Sequence, residues 1–88
     1  MADRKQVILE FKHAFEAVLS TSQDGRPLAA VPLLDNAVAA SAGLSDQDIY
    51  ILRANAAMIR SAIRENRIGP ARRYAGASLR GMTELGLI

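Results

Sequence analysis

The amino-acid sequence predicts an α+β fold in a single domain, residues 1–88: an N-terminal helix followed by a small antiparallel β-barrel with one internal helix. Three observations predict it. The first segment has helical spacing of apolar residues, an Asp-Gly turn follows between short apolar segments, and DIYIL at Asp48–Leu52 favours a strand. An all-α fold containing a helix-turn-helix is the alternative.

The N-terminal helix is predicted from Asp3 to about Val18. Apolar residues recur there at spacings of three and four and share one face of a helix. Asp3 is suited to cap the helix, because its carboxylate can accept from the unpaired amides of the first turn. The predicted buried face consists of Val7, Ile8, Phe11, Ala14, Phe15 and Val18.

A β-hairpin is predicted after this helix. Ser20-Thr21-Ser22 is a weak helix-forming run, since the hydroxyls compete for the backbone. Asp24-Gly25 is the commonest signal for a two-residue hairpin turn. A helix from Leu28 to Ala42 would hold Pro32 in its interior at a cost of roughly 3 kcal/mol, whereas an edge strand tolerates proline.

Residues 45–66 can be interpreted in two ways. As one helix, the segment has a seam of Ile49, Leu52, Ala56, Ile59 and Ile63, but Ile51 and Met58 then project from the opposite side. A helix that is apolar on both faces has to be buried on both, which is hard in so short a chain. We therefore expect a strand over Asp48–Leu52 and a helix from about Asn55 to Asn66.

The C-terminal segment is predicted to contain one or two short strands. Gly69-Pro70 is expected to end the preceding helix, because glycine suits the left-handed position after a last turn and proline cannot continue a helix. Gly76, Gly81 and Gly86 disfavour another helix.

Composition excludes several classes of protein. The chain has no cysteine, so it forms no disulfide or thiolate metal site. No apolar run approaches the roughly 20 residues of a membrane-spanning helix, and the start MADRKQ is too polar for a secretory signal, which predicts a cytoplasmic protein. A core of this size is small, so we expect a partner surface for a second subunit or a ligand.

No catalytic residue and no metal ligand is predicted. His13 is the only histidine, and Asp46 and Asp48 are more typical of helix caps than of an acid-base pair. The charged residues instead indicate an anionic partner, because the segment from Arg53 to Arg80 contains seven arginines and a single acid, Glu65. They are Arg53, Arg60, Arg64, Arg67, Arg72, Arg73 and Arg80.

Several short segments resemble, in order, the flavin-binding split-barrel family related to pyridoxamine 5'-phosphate oxidase. A family strand and turn of the type AVLATxxxDGRPxxxPV, a strand with IYF, a helix end with NLRANPRV and a later RGxAEL have counterparts here. These are Ala17–Thr21, Asp24–Pro27, Val31-Pro32, Ile49–Ile51, Ala62–Ile68 and Arg80–Leu85.

The resemblance implies a dimeric split barrel that binds flavin mononucleotide (FMN) or a deazaflavin at the subunit interface. Its phosphate would be held by basic side chains, for which Arg53, Arg60 and Arg26 are the candidates in this sequence. The protein would be an oxidoreductase or, since the chain ends before the closing strands of a full barrel, a reduced member that has lost its cofactor.

Two other functions remain open. A DNA-binding transcriptional regulator is suggested by a helix-turn-helix pattern around Gly43, in which the arginines would meet phosphates, although Asp46 and Asp48 are unusual at the start of a recognition helix. A small protein-protein interaction regulator is suggested by the second apolar side, Ile51 and Met58.

Overall fold

The computed structural model describes residues 3–88 and consists of four α-helices and one 3-10 turn. No strand is present among these residues. The predicted α+β barrel is therefore wrong, as is the relationship to the split-barrel family, which requires antiparallel strands; the all-α alternative describes the fold. The elements are α1 (Arg4–Gln23), the 3-10 turn (Pro27–Ala30), α2 (Val31–Ala40), α3 (Gln47–Arg64) and α4 (Ile68–Glu84).

The prediction for α1 is confirmed at its start and on its buried face. The Asp3 side chain accepts a hydrogen bond from the Lys5 amide, and all six predicted apolar residues are buried. The helix continues five residues beyond Val18, because the hydroxyls of Thr21 and Ser22 donate to backbone carbonyls one turn earlier, at 2.7 and 3.1 Å. Their polar groups are thus satisfied within the helix.

The Asp-Gly pair ends a helix and does not form a hairpin turn. Gly25 has φ of +75°, and its amide donates to Ser22 while the Arg26 amide donates to the Thr21 carbonyl at 2.8 Å. This pattern is a Schellman C-cap, which needs the same left-handed glycine conformation as a hairpin turn. One sequence signal therefore fits both structures, and the hairpin prediction is wrong.

The prolines lie at helix starts, where they cost little. Pro27 begins the 3-10 turn and Pro32 occupies the first turn of α2. Amides of a first turn have no intrahelical acceptor, so proline loses no hydrogen bond there. The objection to a helix in this segment assumed an interior proline and fails once α2 begins at Val31.

Residues 47–64 form one uninterrupted helix, so the predicted division into a strand and a helix is wrong. Asp46 caps it by accepting from the Ile49 amide at 3.2 Å. The seam of Ile49, Leu52, Ala56, Ile59 and Ile63 is buried, while Ile51 and Met58 stay exposed on the other side. The second apolar face of α3 is therefore exposed to solvent, whereas the prediction assumed that such a face would have to be buried.

The end of α3 and the course of α4 also differ from the prediction. Asn66, with φ of +59°, provides the left-handed residue that ends α3, and Gly69-Pro70 instead lies in the first turn of α4. The predicted C-terminal strands are replaced by α4, which contains Gly76 and Gly81. Burial of its inner face against α1 and α3 offsets the roughly 1 kcal/mol helix cost of each glycine.

The helices form a ring around one core. Each packs against its neighbours in sequence, and α4 packs back against α1. The largest fully buried side chains come from all four helices: Phe11, Phe15, Val18, Leu34, Ile49, Ile59 and Met82. The outer surface between α3 and α4 has no further layer over it.

Candidate functional site

A groove runs along the outside of the bundle between α3 and α4. Ile51 and Met58 line it from α3 with 38% and 45% of their surface exposed, and Tyr74 and Leu85 line it from α4. The groove contains an apolar cavity of about 240 Å³, and a second cavity that shares Met58 and Tyr74 extends it toward Pro70. We call this surface the α3–α4 groove.

Both walls of the groove have the same spacing of residues. On each wall, four of the lining residues are spaced four, three and four positions apart, which is the heptad spacing by which one helix presents a seam to another. On α3 they are Ile51, Asn55, Met58 and Ala62; on α4 they are Tyr74, Ser78, Gly81 and Leu85.

Residues with small side chains form part of the α4 wall and leave space within the groove. Ala77, Ser78 and Gly81 all line the cavity. A Cβ atom built on Gly81 would have no atom within 4 Å, so no neighbour in this chain requires the glycine there. The missing side chain leaves space into which a knob from another helix fits.

Two exposed arginines, Arg73 and Arg80, lie on the outer side of α4 and line neither cavity of the groove. Each arm folds back along the helix: Arg73 Nη1 lies 3.6 Å from a Cβ built on Gly69, and Arg80 Nη1 lies 3.5 Å from one on Gly76. Neither makes an ion pair within residues 3–88.

The start of α3 is acidic and is tied to α1. Arg4 pairs with Asp46 at 3.1 Å and with Asp48, which lines the groove, at 3.3 Å. The hydrogen bond from Arg4 lowers the pKa of Asp46, and the same contact raises the pKa of Arg4. Both aspartates therefore hold α1 against the start of α3.

The three arginines predicted to bind a cofactor lie apart. Arg53 donates to the carbonyls of Ser41 and Leu44 at 3.3 and 3.1 Å and so holds the connection between α2 and α3. Arg60 pairs with Asp35 of α2 at 2.8 Å. Arg26 lies beside the 3-10 turn and lines a different cavity from Arg60.

This arrangement does not fit one FMN phosphate, because Arg26 and Arg60 face different cavities and the Arg53 guanidinium is used on backbone carbonyls. The split-barrel oxidoreductase function inferred from the resemblance is wrong, since it required the barrel. Within residues 3–88 no group of three or more histidine or acidic side chains is arranged to hold a metal ion.

The α2–α3 pair departs in two respects from the helix-turn-helix pattern. Six residues, 41–46, separate the two helices, more than the three or four of a helix-turn-helix. The segment that would enter a groove of DNA begins with Asp46, Gln47 and Asp48, two of which are already paired with Arg4.

The sequence pattern indicates one wall of the groove but not the other. Ile51 and Met58 were recognised as an unexplained apolar side. Tyr74 and Leu85 were missed, because the C-terminal segment was interpreted as strands; the four-three-four spacing from Tyr74 to Leu85 is the signal that could have identified them.

Among residues 3–88, no helix combines the length and apolar character needed to cross a bilayer. Comparison with known proteins identifies no relative of this chain, so the α3–α4 groove is the main evidence for its function. No family model, curated protein or solved structure matches this chain.

Proposed function

We propose that this protein is a small helical interaction module that binds an amphipathic helix of a partner protein in the α3–α4 groove. The exposure of Ile51 and Met58 one heptad apart on the outer side of α3 is the observation that carries this proposal. The module would act by covering or positioning the partner's helix and would need neither a cofactor nor DNA. A cytoplasmic location is part of the proposal.

The form of the groove favours a helix over a small molecule. Cavities that hold small ligands usually enclose 300–1,000 Å³ and surround most of the ligand. The two cavities of the groove are about 240 and 360 Å³, but both are open to solvent and would not surround a small ligand, whereas each can take an apolar side chain of a helix. The heptad spacing of both walls suits a series of such side chains from a third helix.

Apolar burial supplies the driving force. Full burial of a Leu, Ile or Met side chain contributes about 1.5–3 kcal/mol, so covering the partly exposed Ile51, Met58 and Leu85 contributes on the order of 1 kcal/mol each. Because these side chains already lie on or next to formed helices, this protein loses little backbone freedom when it binds the partner.

A titration with a synthetic helix tests the proposal. The probe is a peptide of three heptads with Leu at positions a and d and Gln at e and g, used below the concentration at which it self-associates. We expect saturable changes in amide chemical shifts confined to residues 48–62 and 74–85. The double variant Ile51→Gln/Met58→Gln should weaken binding at least tenfold, since Gln keeps the helix and removes the apolar surface.

Leu28→Gln is the matched control, because Leu28 is 62% exposed on the 3-10 turn away from the groove. It should leave affinity unchanged. Absence of saturable shifts, or equal binding by the double variant, would overturn the proposal. A homodimer that Met58→Gln converts to a monomer would also overturn it, because a second copy would then occupy the groove.

A further inference from the structure

We infer that the partner helix inserts two different side chains, about two turns apart, into the α3–α4 groove: an aliphatic side chain in one cavity and a tyrosine in the other. The order of these two anchors along the partner sets the direction in which its helix lies. This inference rests on the proposed function and adds the chemistry of the partner's binding face. It follows from the two cavities of the groove, which adjoin each other at Met58 and Tyr74 but differ in the rest of their lining.

The separation of the two cavities is close to two turns of a helix. On α3 the first cavity is lined between Asp48 and Met58 and the second between Met58 and Glu65. The centres of these ranges lie about eight residues apart, which is roughly 12 Å along the helix axis. Positions i and i+7 of a partner helix share one side and lie about 10.5 Å apart, so their side chains can reach one cavity each.

The first cavity suits an aliphatic anchor. Its lining is mainly apolar and includes the open space beside Gly81. Two of its polar side chains are already used, because Asp48 pairs with Arg4 at 3.3 Å and the Ser78 hydroxyl donates to a backbone carbonyl of α4 at 2.8 Å. Asn55 adds one uncharged polar group. A leucine side chain therefore gains apolar burial here and finds no free charge to pair with.

The second cavity combines an apolar surface with two charges of opposite sign. Met58, Pro70 and Tyr74 supply the apolar part, and Glu65 and Arg67 line the end where the chain passes from α3 to α4. Neither Glu65 nor Arg67 makes an ion pair within residues 3–88. A charged anchor would meet one group of like sign. A tyrosine ring instead covers the apolar part, and its neutral hydroxyl can donate to the carboxylate or accept from the guanidinium.

The two anchors are therefore not interchangeable. The cavity for the aliphatic side chain is the smaller one, at about 240 Å³, and the cavity with the two charges is about 360 Å³. A partner whose aliphatic anchor precedes its tyrosine places its N-terminus near the start of α3. A partner with the reverse order lies in the opposite direction.

Peptides with only two anchors test the inference. Each is the three-heptad probe with Ala at every a and d position except two d positions one heptad apart, and each carries a nitroxide on a Cys at its N-terminus. Peptides LY and YL hold Leu and Tyr in the two possible orders, and peptide LF has Phe in place of the Tyr of LY. LY should bind about fivefold more tightly than LF, the effect of about one net hydrogen bond.

The nitroxide gives the direction of the bound helix. The protein has no cysteine, so the label is confined to the peptide. Peptide LY should broaden the amide signals of residues near Asp48 and Leu85, and peptide YL those of residues 65–70. Broadening of the same residues by both peptides would overturn the inference, as would equal affinity for LY and LF.

The double variant Glu65→Ala/Arg67→Ala should remove the preference for LY over LF and leave the affinity for LF unchanged. The matched control is Arg80→Ala/Glu84→Ala, which also removes one charge of each sign, at residues that line neither cavity of the groove. It should keep the preference for LY. A preference that persists in Glu65→Ala/Arg67→Ala, or that is lost equally in both variants, would show that the second cavity does not recognise the hydroxyl.

Failure of the inference and failure of the function give different results. If the leucine-seam probe binds in the groove but LY, YL and LF bind equally or not at all, the groove binds helices without selecting these anchors, and only the inference is wrong. If neither the leucine-seam probe nor any two-anchor peptide binds, the proposed function is wrong and the inference fails with it.

Discussion

Arg4 donates from Nε to Oδ2 of Asp46 at 3.1 Å and so connects the first turn of α1 to the residue that caps α3. The two residues are 42 positions apart in the chain. The contact lowers the pKa of Asp46, which means that the folded state favours the ionised carboxylate. The same aspartate also accepts from the Ile49 amide, so one side chain serves both the cap and the junction between helices.

Stability should therefore fall in acid through Asp46. Because its pKa is lower in the folded than in the unfolded state, its contribution is present at neutral pH and is lost as pH falls below the ordinary aspartate value of about 4. Asp46→Asn keeps a good N-cap but removes the charge. We expect a lower Tm for this variant at pH 7 and a gap to the native protein that narrows by pH 2.5.

Asp24→Asn is the control for this measurement, because Asp24 makes no ion pair within residues 3–88. The difference in Tm between Asp24→Asn and the native protein should not narrow in this way as the pH falls. Adding 1 M salt at pH 7 should also narrow the Asp46→Asn gap, since the pair is exposed and screened. A gap that stays constant in both experiments would mean that the ion pair does not form in solution.

Neighbouring residues on α3 should differ sharply in their effect on stability. Ile59 is fully buried, so Ile59→Ala should cost about 2–5 kcal/mol in the free energy of unfolding. Met58 faces outward, and Met58→Ala should cost less than about 1 kcal/mol. Urea unfolding measures both. A large loss for Met58→Ala would show that the groove is covered in the isolated protein, as in a homodimer.

Arg53 should stabilise the folded protein through its hydrogen bonds. Its guanidinium bonds to the Ser41 and Leu44 carbonyls, and hydrogen bonds from charged groups contribute about 1.5–3 kcal/mol when part-buried. Arg53→Gln should lower the free energy of unfolding by about 1–2 kcal/mol, whereas exposed Arg64→Gln should change it by less than about 0.5 kcal/mol. Unchanged stability of Arg53→Gln would exclude this role.

Duplex DNA should bind only weakly and without sequence preference. Any binding through the exposed arginines is electrostatic, so anisotropy of labelled 20-base-pair duplexes should detect none above about 200 mM salt. Binding that prefers one sequence, survives that salt and is weakened by Gln47→Ala at the start of α3 would instead support the helix-turn-helix hypothesis.

Part of the candidate site could be predicted from the sequence and part could not. Ile51 and Met58 stand out as a second apolar side in any helical interpretation of residues 45–66. They are not predicted as a binding surface if every apolar face is assumed to be buried within the same chain. The groove needs α4 as its second wall, and the sequence of α4 contains glycines that lower its helix propensity.

Local sequence by itself determined α1, because a cap at Asp3 and a regular apolar face agree on the same structure. It left the Asp24-Gly25 signal ambiguous, since a left-handed glycine serves a hairpin and a helix end equally well. Only the tertiary structure decided between them. Packing α4 between α1 and α3 stabilises a glycine-containing helix through burial that local propensity does not include, and the same packing leaves Ile51 and Met58 without a partner inside the chain.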